Sequence, residues 1–183
     1  MREQVMDWAI DQSHSNLGFA VRHMAISTVR GRFKKLSGTI RAEENGTLKS
    51  IEATIDASSI DTGDPKRDAH LRSADFFDAE NSPALTFRST SIMPQTDGRY
   101  LVNGTLTIRE ETRPVSLQVE ITTPMKDPWG NVRAGAVASG TLNRKDWGLN
   151  WNQVLEFGAL LVGEEVRFNV DVEAVAVRLA VAA

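Results

Sequence analysis

The sequence predicts an all-β domain, on three observations. Apolar and polar residues alternate with a period of two over most of the 183-residue chain. Turn signals rich in Gly, Asn, Asp and Thr separate the alternating stretches. Only the 65–78 and 146–161 segments lack alternation, and both suit short helices, the first with Asp64 or Pro65 near its start.

Strands are expected at 18–24, at 30–42, and where Ile51, Ala53 and Ile55 oppose Glu52, Thr54 and Asp56. They continue at 84–93 and where Tyr100, Val102, Leu106 and Ile108 lie opposite Asn103, Thr105 and Thr107. Val115, Leu117, Val119 and Ile121 alternate with Ser116, Gln118, Glu120 and Thr122. The last strands are 132–143 and the run in which Val166, Phe168, Val170 and Val172 alternate with Arg167, Asn169, Asp171 and Glu173. Turns fall at Glu44-Asn45-Gly46, Thr96-Asp97-Gly98, 109–112 and 127–131. About eight antiparallel strands result, each with one buried and one wet face. A closed barrel or a two-sheet sandwich satisfies that pattern. Ala134, Ala136, Ala138 and Gly140 share one face, and small residues there either leave room for a ligand or meet large neighbours across the core. The final Val-Ala-rich stretch reads as a strand end and a tail.

A chain of this length is expected to form a single domain, 1–183, with a sizeable core. The 21 Lys and Arg against 24 Asp and Glu give a net charge of −3, which argues against a general binder of nucleic acid or anionic membrane. No cysteine is present, so disulfides and thiolate chemistry are excluded. The first 15 residues lack the apolar core of a secretory leader, so the chain as it stands reads as cytoplasmic, or periplasmic if a leader has been removed. No apolar run is long enough to span a bilayer as a helix, and no stable membrane insertion is expected.

The richest stretch is 58–90, where charges, a histidine and the pair Phe76-Phe77 sit between two strand-like segments. A long loop of this composition folds onto something apolar while holding charge at its edge. Here the residues resemble a known family. The motifs are WAIDQSHS at 8–15, FAVRH at 19–23, GRF at 31–33, the dense run 58–87, GTLTIR at 104–109, TRPV at 112–115 and NRKDWGL at 143–149. In this order they resemble the YceI-like family of lipocalin-like polyisoprenoid-binding proteins. The resemblance implies an extended eight-stranded antiparallel barrel around an elongated apolar channel, often in a homodimer. It also implies a bound isoprenoid lipid such as a polyprenyl quinone or polyprenyl phosphate, and no further cofactor. One departure is Arg109-Glu110-Glu111, where the family commonly turns through a glycine.

Burying hydrocarbon gains about 0.8 kcal/mol per methylene. A tail of roughly 40 carbons would gain about 30 kcal/mol gross, beyond the observed affinity ceiling of about 18–21 kcal/mol. Ordering the chain offsets much of this. A membrane offers the same refuge, so the protein must win by shape or by head-group contacts, and the site should divide into an apolar tube and a polar mouth. The tube candidates are Phe19, Val21, Phe33, Leu36, Phe87, Leu106, Ile108, Ala136 and Phe168, each of which would otherwise be plain core. Phe76 and Phe77 close the loop over one end or anchor it. Trp147 and Trp151, four apart, would share a helix face at the rim or plug the barrel end.

Arg67 and His70 are the candidate donors to a phosphate or quinone oxygen. The competing role is internal pairing with Asp61, Asp68 and Asp75. Arg22, Arg88 and Arg144 are expected outside or paired along the sheet, and the carboxylate pairs Asp75/Asp78 and Glu43/Glu44 are expected to be solvated. His14 and His23 would tie strand ends together. No metal site is expected, because the three histidines lack ligand spacing. No nucleophile elbow or phosphate loop is present. The resulting expectation is a non-enzymatic carrier or sequestering protein. The alternatives are a barrel enzyme using His70 with Asp68 or Asp61 as acid and base, and a ligand-free stress-related protein marked by an exposed apolar patch.

Overall fold

The structure, a computed structural model, describes residues 5–43 and 46–177. Twelve strands form one antiparallel sheet: β1 (Val5–Ile10), β2 (Asn16–His23), β3 (Ser27–Phe33), β4 (Leu36–Glu43), β5 (Leu48–Asp56), β6 (Ile60–Asp61), β7 (Ala84–Pro94), β8 (Arg99–Ile108), β9 (Glu111–Ile121), β10 (Met125–Lys126), β11 (Val132–Asn143) and β12 (Val162–Ala176). Eight of them close a barrel in the order β11-β9-β8-β7-β5-β4-β1-β12, with β12 returning to β11. One helix, α1 (Pro65–Arg72), stands in the long loop.

The closing strand is β12, whose 15 residues outreach every neighbour. Its first part pairs with β2 and its last part with β1, so β1 and β2 lie end to end along it. The break between them is a turn at Asp11, whose carboxylate accepts from Ser13 N at 3.0 Å and from the His14 ring. His14 therefore ties two strand ends, as its position suggests. The ties at His23 run instead through its backbone carbonyl, which accepts from Ile26 N at 3.2 Å.

The predicted strand 30–42 is two strands, interrupted at Lys34-Lys35 where the chain passes from the ladder of β2 to that of β1. The α1 region matches its sequence cues: Asp64 caps Lys66 N at 2.9 Å and Pro65 occupies the first turn, where a missing N–H costs nothing. The second helical expectation becomes two single 3₁₀ turns, Arg144–Trp147 and Glu156–Gly158. Gly148 ends the first in the left-handed region at φ 72°. Trp147 and Trp151 consequently share no helix face. At the Arg109 turn, Arg109 itself adopts φ 57°, the conformation that glycine would take at least cost.

The Glu44-Asn45 part of one predicted turn and the tail beyond residue 177 lie outside the described residues. Glu43 is not solvated: it is buried and ion-paired with Lys49.

The core falls into two clusters, a small one at one end and a larger one that runs the length of the barrel wall. Leu48, Val102 and Val119 pack with Phe87 at the end where β8 begins, and Trp8, Ala42 and Ala174 are buried beside them. Leu36, Ile60, Ile108, Trp147 and Leu149 are buried toward the other end, under the long loop.

Candidate functional site: an apolar barrel cavity with one basic end

Between these two packed regions lies a cavity of about 540 Å³, within the range of roughly 300–1,000 Å³ usual for ligand sites. On β12 its lining runs from Val162 to Val172. That is about 33 Å of strand at roughly 3.3 Å per residue, or about 25 Å along an axis that barrel strands cross at roughly 40°. The cavity is thus long and narrow.

Glycines explain why large side chains do not fill it. Phe19 faces Gly31 across the β2–β3 ladder, and Phe168 faces Gly140 across β11–β12. A Cβ built on Gly140 would stand 2.5 Å from the Phe168 Cζ, and one on Gly104 would stand 2.5 Å from the Phe87 ring. A Cβ on Gly31 would collide with the Phe19 ring. Each ring therefore lies in the space a side chain would take on the neighbouring strand, flat against the wall instead of across the lumen. Ala136 and Ala138 line the void directly, whereas Ala134 packs into the core cluster and Gly140 is covered by Phe168.

The tube candidates Phe19, Val21, Phe33, Leu36, Phe87, Leu106, Ile108, Ala136 and Phe168 all line the cavity, as do Arg67, His70, Phe76, Phe77 and Trp151. Trp147 does not. It is buried, and its Nε1 donates to the Leu106 carbonyl at 2.8 Å, so it seals the wall beside the lumen and has no rim position.

The polar lining gathers at one end. His70, Phe76 and Trp151 form an aromatic cluster, with His70 edge-on to Trp151 at 4.6 Å and to Phe76 at 5.2 Å. His70 Nε2 pairs with Asp75 at 2.8 Å. Asp68, one carboxylate considered as its acid–base partner, is buried and accepts from Thr62 N and Oγ1 at 2.9 and 2.6 Å. Asp61, the other, pairs with Lys34 at 3.0 Å, which holds its carboxyl below the ordinary range. Arg67 donates to Thr62 Oγ1 at 2.7 Å and to the Thr62 carbonyl at 2.9 Å. Both expected donors are thus fixed by internal bonds while still facing the lumen.

Arg144 contradicts its expected outward position. Only 3% of it is exposed, and it lines the cavity. The 3₁₀ turn capped by the Asn143 side chain turns it inward, where its Nε donates to the Gly163 carbonyl at 2.9 Å. Its terminal nitrogens reach the carbonyls of Leu149, Trp151 and Val162. Burial lowers its pKa, with Glu164 opposing the shift. One cation thereby holds both ends of the 149–163 loop, and its guanidinium lies 5.9 Å from the Phe76 ring centre. Asn143 before and Gly148 after were the available signals of a one-turn helix able to redirect this side chain. Lys66, Arg22, His23 and Thr62 also line this end and were not anticipated there. Among the described lining residues every ionisable side chain is Arg, Lys or His. Arg22 and Lys66 are also the exposed members of the lining, which places the opening at this end.

The pattern of the YceI-like domain matches residues 8–174. The chain belongs to the YceI-like family. Its relatives include a UPF0312 protein of Staphylococcus epidermidis, 38% identical over 165 residues and covering 89% of this chain and 94% of that one. A UPF0312 protein of Vibrio cholerae is 35% identical over 146 residues, covering 78% and 77% respectively. Among solved structures, the YceI protein of Campylobacter jejuni superposes with a TM-score of 0.74 at 27% identity, covering 86% of this chain and 90% of that one. BcnA of Burkholderia cenocepacia gives 0.77 at 22% identity over 90% and 98%. A polyisoprenoid-binding domain from Saccharophagus degradans gives 0.68 at 17% identity over 94% and 99%. The YceI-like fold is shared across all three structures. In this YceI-like chain it encloses a hydrophobic cavity of ligand size.

Proposed function

We propose that this protein binds an isoprenoid lipid, a polyprenyl quinone or polyprenyl phosphate, for carriage, storage or sequestration, and that it does so without catalysing a reaction. The observation that carries the proposal is the long cavity of about 540 Å³ with apolar walls and basic residues at one end. The prenyl tail takes the tube and the head group takes the end beside Arg67, His70 and Arg144. The polyisoprenoid-binding description of the Saccharophagus degradans neighbour agrees with this reading. Asp68 is committed to Thr62 and Asp61 to Lys34, so neither carboxylate of the acid–base alternative pairs with His70, whose partner is the exposed loop carboxylate of Asp75.

Organic extraction of the purified protein followed by mass spectrometry tests the proposal. A long prenyl species should be recovered, and Ala138→Trp, which fills the lumen, should reduce its yield. Protein that carries no lipid and fails to bind an added polyprenyl phosphate or quinone would overturn it.

A further inference from the structure

Two apolar loops stand beside the cavity opening. The first is the β2–β3 turn, where Met24 is 39% and Ile26 76% exposed. The second is the 153–161 loop, where Val154, Phe157 and Leu160 are 69%, 103% and 39% exposed. Met24 N donates to the Leu161 carbonyl at 2.9 Å, so the loops are joined at their bases. The second loop is tightly built: Val154 bridges Leu160, and Leu155 N donates to the Ala159 carbonyl at 2.7 Å. Phe157 sits at its tip at φ 63°, a conformation costly for a bulky residue. Asn152 fastens the base by accepting from Val162 N at 3.1 Å and donating to the Val162 carbonyl at 2.7 Å. Arg144 holds the same base. The loop is firmly rooted, with its largest apolar side chain entirely in solvent.

We infer that these two loops dock the protein on a lipid bilayer, with Ile26 and Phe157 entering the interfacial region and the cavity opening facing the membrane. The inference rests on the proposed lipid cargo, because the bilayer is where such a cargo resides. Three observations select this occupant. The loops adjoin the opening, since His23, Leu161 and Val162 line the cavity and directly continue into them. The exposed cations Arg22 and Lys66 at that opening suit an anionic lipid surface, opposed by Glu156 next to Phe157. Finally, five exposed apolar side chains on two narrow projections are far fewer than the roughly 20–30 residues a side of a stable protein interface. A few apolar side chains and adjacent positive charge suffice for a reversible interfacial contact.

Flotation with vesicles of phosphatidylcholine containing a minor fraction of phosphatidylglycerol tests the inference. Wild-type protein should float, and Ile26→Ser/Phe157→Ser should reduce the bound fraction by roughly tenfold or more. Trp129→Ser, at the opposite end of the barrel, should float like wild type. Phe157→Trp should show a blue-shifted emission on the same vesicles. Binding of farnesyl phosphate in solution reads the cargo site separately, and it should be the same for wild type and the double variant. Wild type that binds farnesyl phosphate but never floats would overturn the docking and leave the cargo reading intact. A double variant that floats like wild type would also overturn it. So would a wild-type dimer that the double variant turns into a monomer while neither floats.

Discussion

Replacing in turn each glycine that underlies a phenylalanine tests whether the rings keep the lumen open. Ordinary Cβ contacts lie at 3.4–4 Å, and a Cβ on Gly104 would stand 2.5 Å from both the Phe87 ring and the Arg88 carbonyl oxygen. That oxygen belongs to the β7–β8 ladder, which would have to open by about 0.9 Å (3.4 − 2.5) to admit a methyl group. On Gly140 the Cβ meets Phe168 Cζ at 2.5 Å and the Ser116 carbonyl oxygen at 3.0 Å, so ring and backbone must both yield. On Gly31 it meets only side chains, the Phe19 ring and Thr62 Cγ2, and these can swing away. Overpacking costs about 1–3 kcal/mol, while replacing a strand glycine with alanine returns roughly 0.5–1 kcal/mol of backbone entropy. The expected net costs are therefore about 2–2.5 kcal/mol for Gly104→Ala, about 1–2 for Gly140→Ala and about 0–1 for Gly31→Ala. At roughly 2–4 °C per kcal/mol for a domain of this size, Gly104→Ala should lower Tm by about 4–10 °C. Gly140→Ala and Gly31→Ala should also push a ring into the lumen and weaken prenyl-phosphate binding. Differential scanning calorimetry and a binding titration read the two effects. Gly104→Ala as stable as wild type, or Gly31→Ala costing most, would refute the account of the hollow centre.

Three further predictions concern tryptophan and pH. Trp147→Phe should cost about 0.5–1.5 kcal/mol beyond its packing loss, because it removes the donor to the part-buried Leu106 carbonyl. Trp8→Phe should escape that penalty, since the buried Trp8 Nε1 has no partner to lose among the described residues, and urea denaturation compares the two. Arg133 bonds to Asp127 at 2.8 Å and to Asp11 at 2.9 Å, and it holds the Asp127 carboxyl down to about 2 from its ordinary 3.8. The stability from that pair is complete above pH 3.8 and lost as pH falls toward 2, so Arg133→Met should flatten this part of the acid-denaturation curve. Asp11 raises the His14 pKa above 6.5, so stability from that pair is complete below pH 6.5 and lost as pH rises through the shifted value. His14→Gln should remove that dependence.

The barrel was legible because its strands alternate, and a one-residue error of register would turn every apolar side chain outward. Phe168, Leu106 and Ala136 face the lumen for the same reason that Arg167, Thr107 and Val137 do not. The α1 start was legible from Asp64 and Pro65, whose preferences are local. Side chains placed by irregular chain were not. Arg144 turns inward where Gly148 takes a left-handed conformation and the carbonyls of Leu149, Trp151, Val162 and Gly163 converge on its guanidinium. Trp147 loses its expected helical partner by the same turn. The wall-hugging phenylalanines escaped detection because alternation identifies a face and not the residue opposite, and that residue, Gly31 or Gly140, decides how deep a ring reaches.

At the end remote from Arg144, Trp8, Leu48, Val102 and Val119 are buried, and among the described residues no exposed one joins the lining there. As far as the described residues go, the barrel is a sleeve with its opening at the Arg144 end. If the cargo is the prenyl lipid proposed above, it enters tail-first and leaves head-first, and a tail longer than the sleeve doubles back or hangs outside. For such a cargo the pocket gauges length as well as greasiness, and the residues that set its limit lie at the end remote from Arg144.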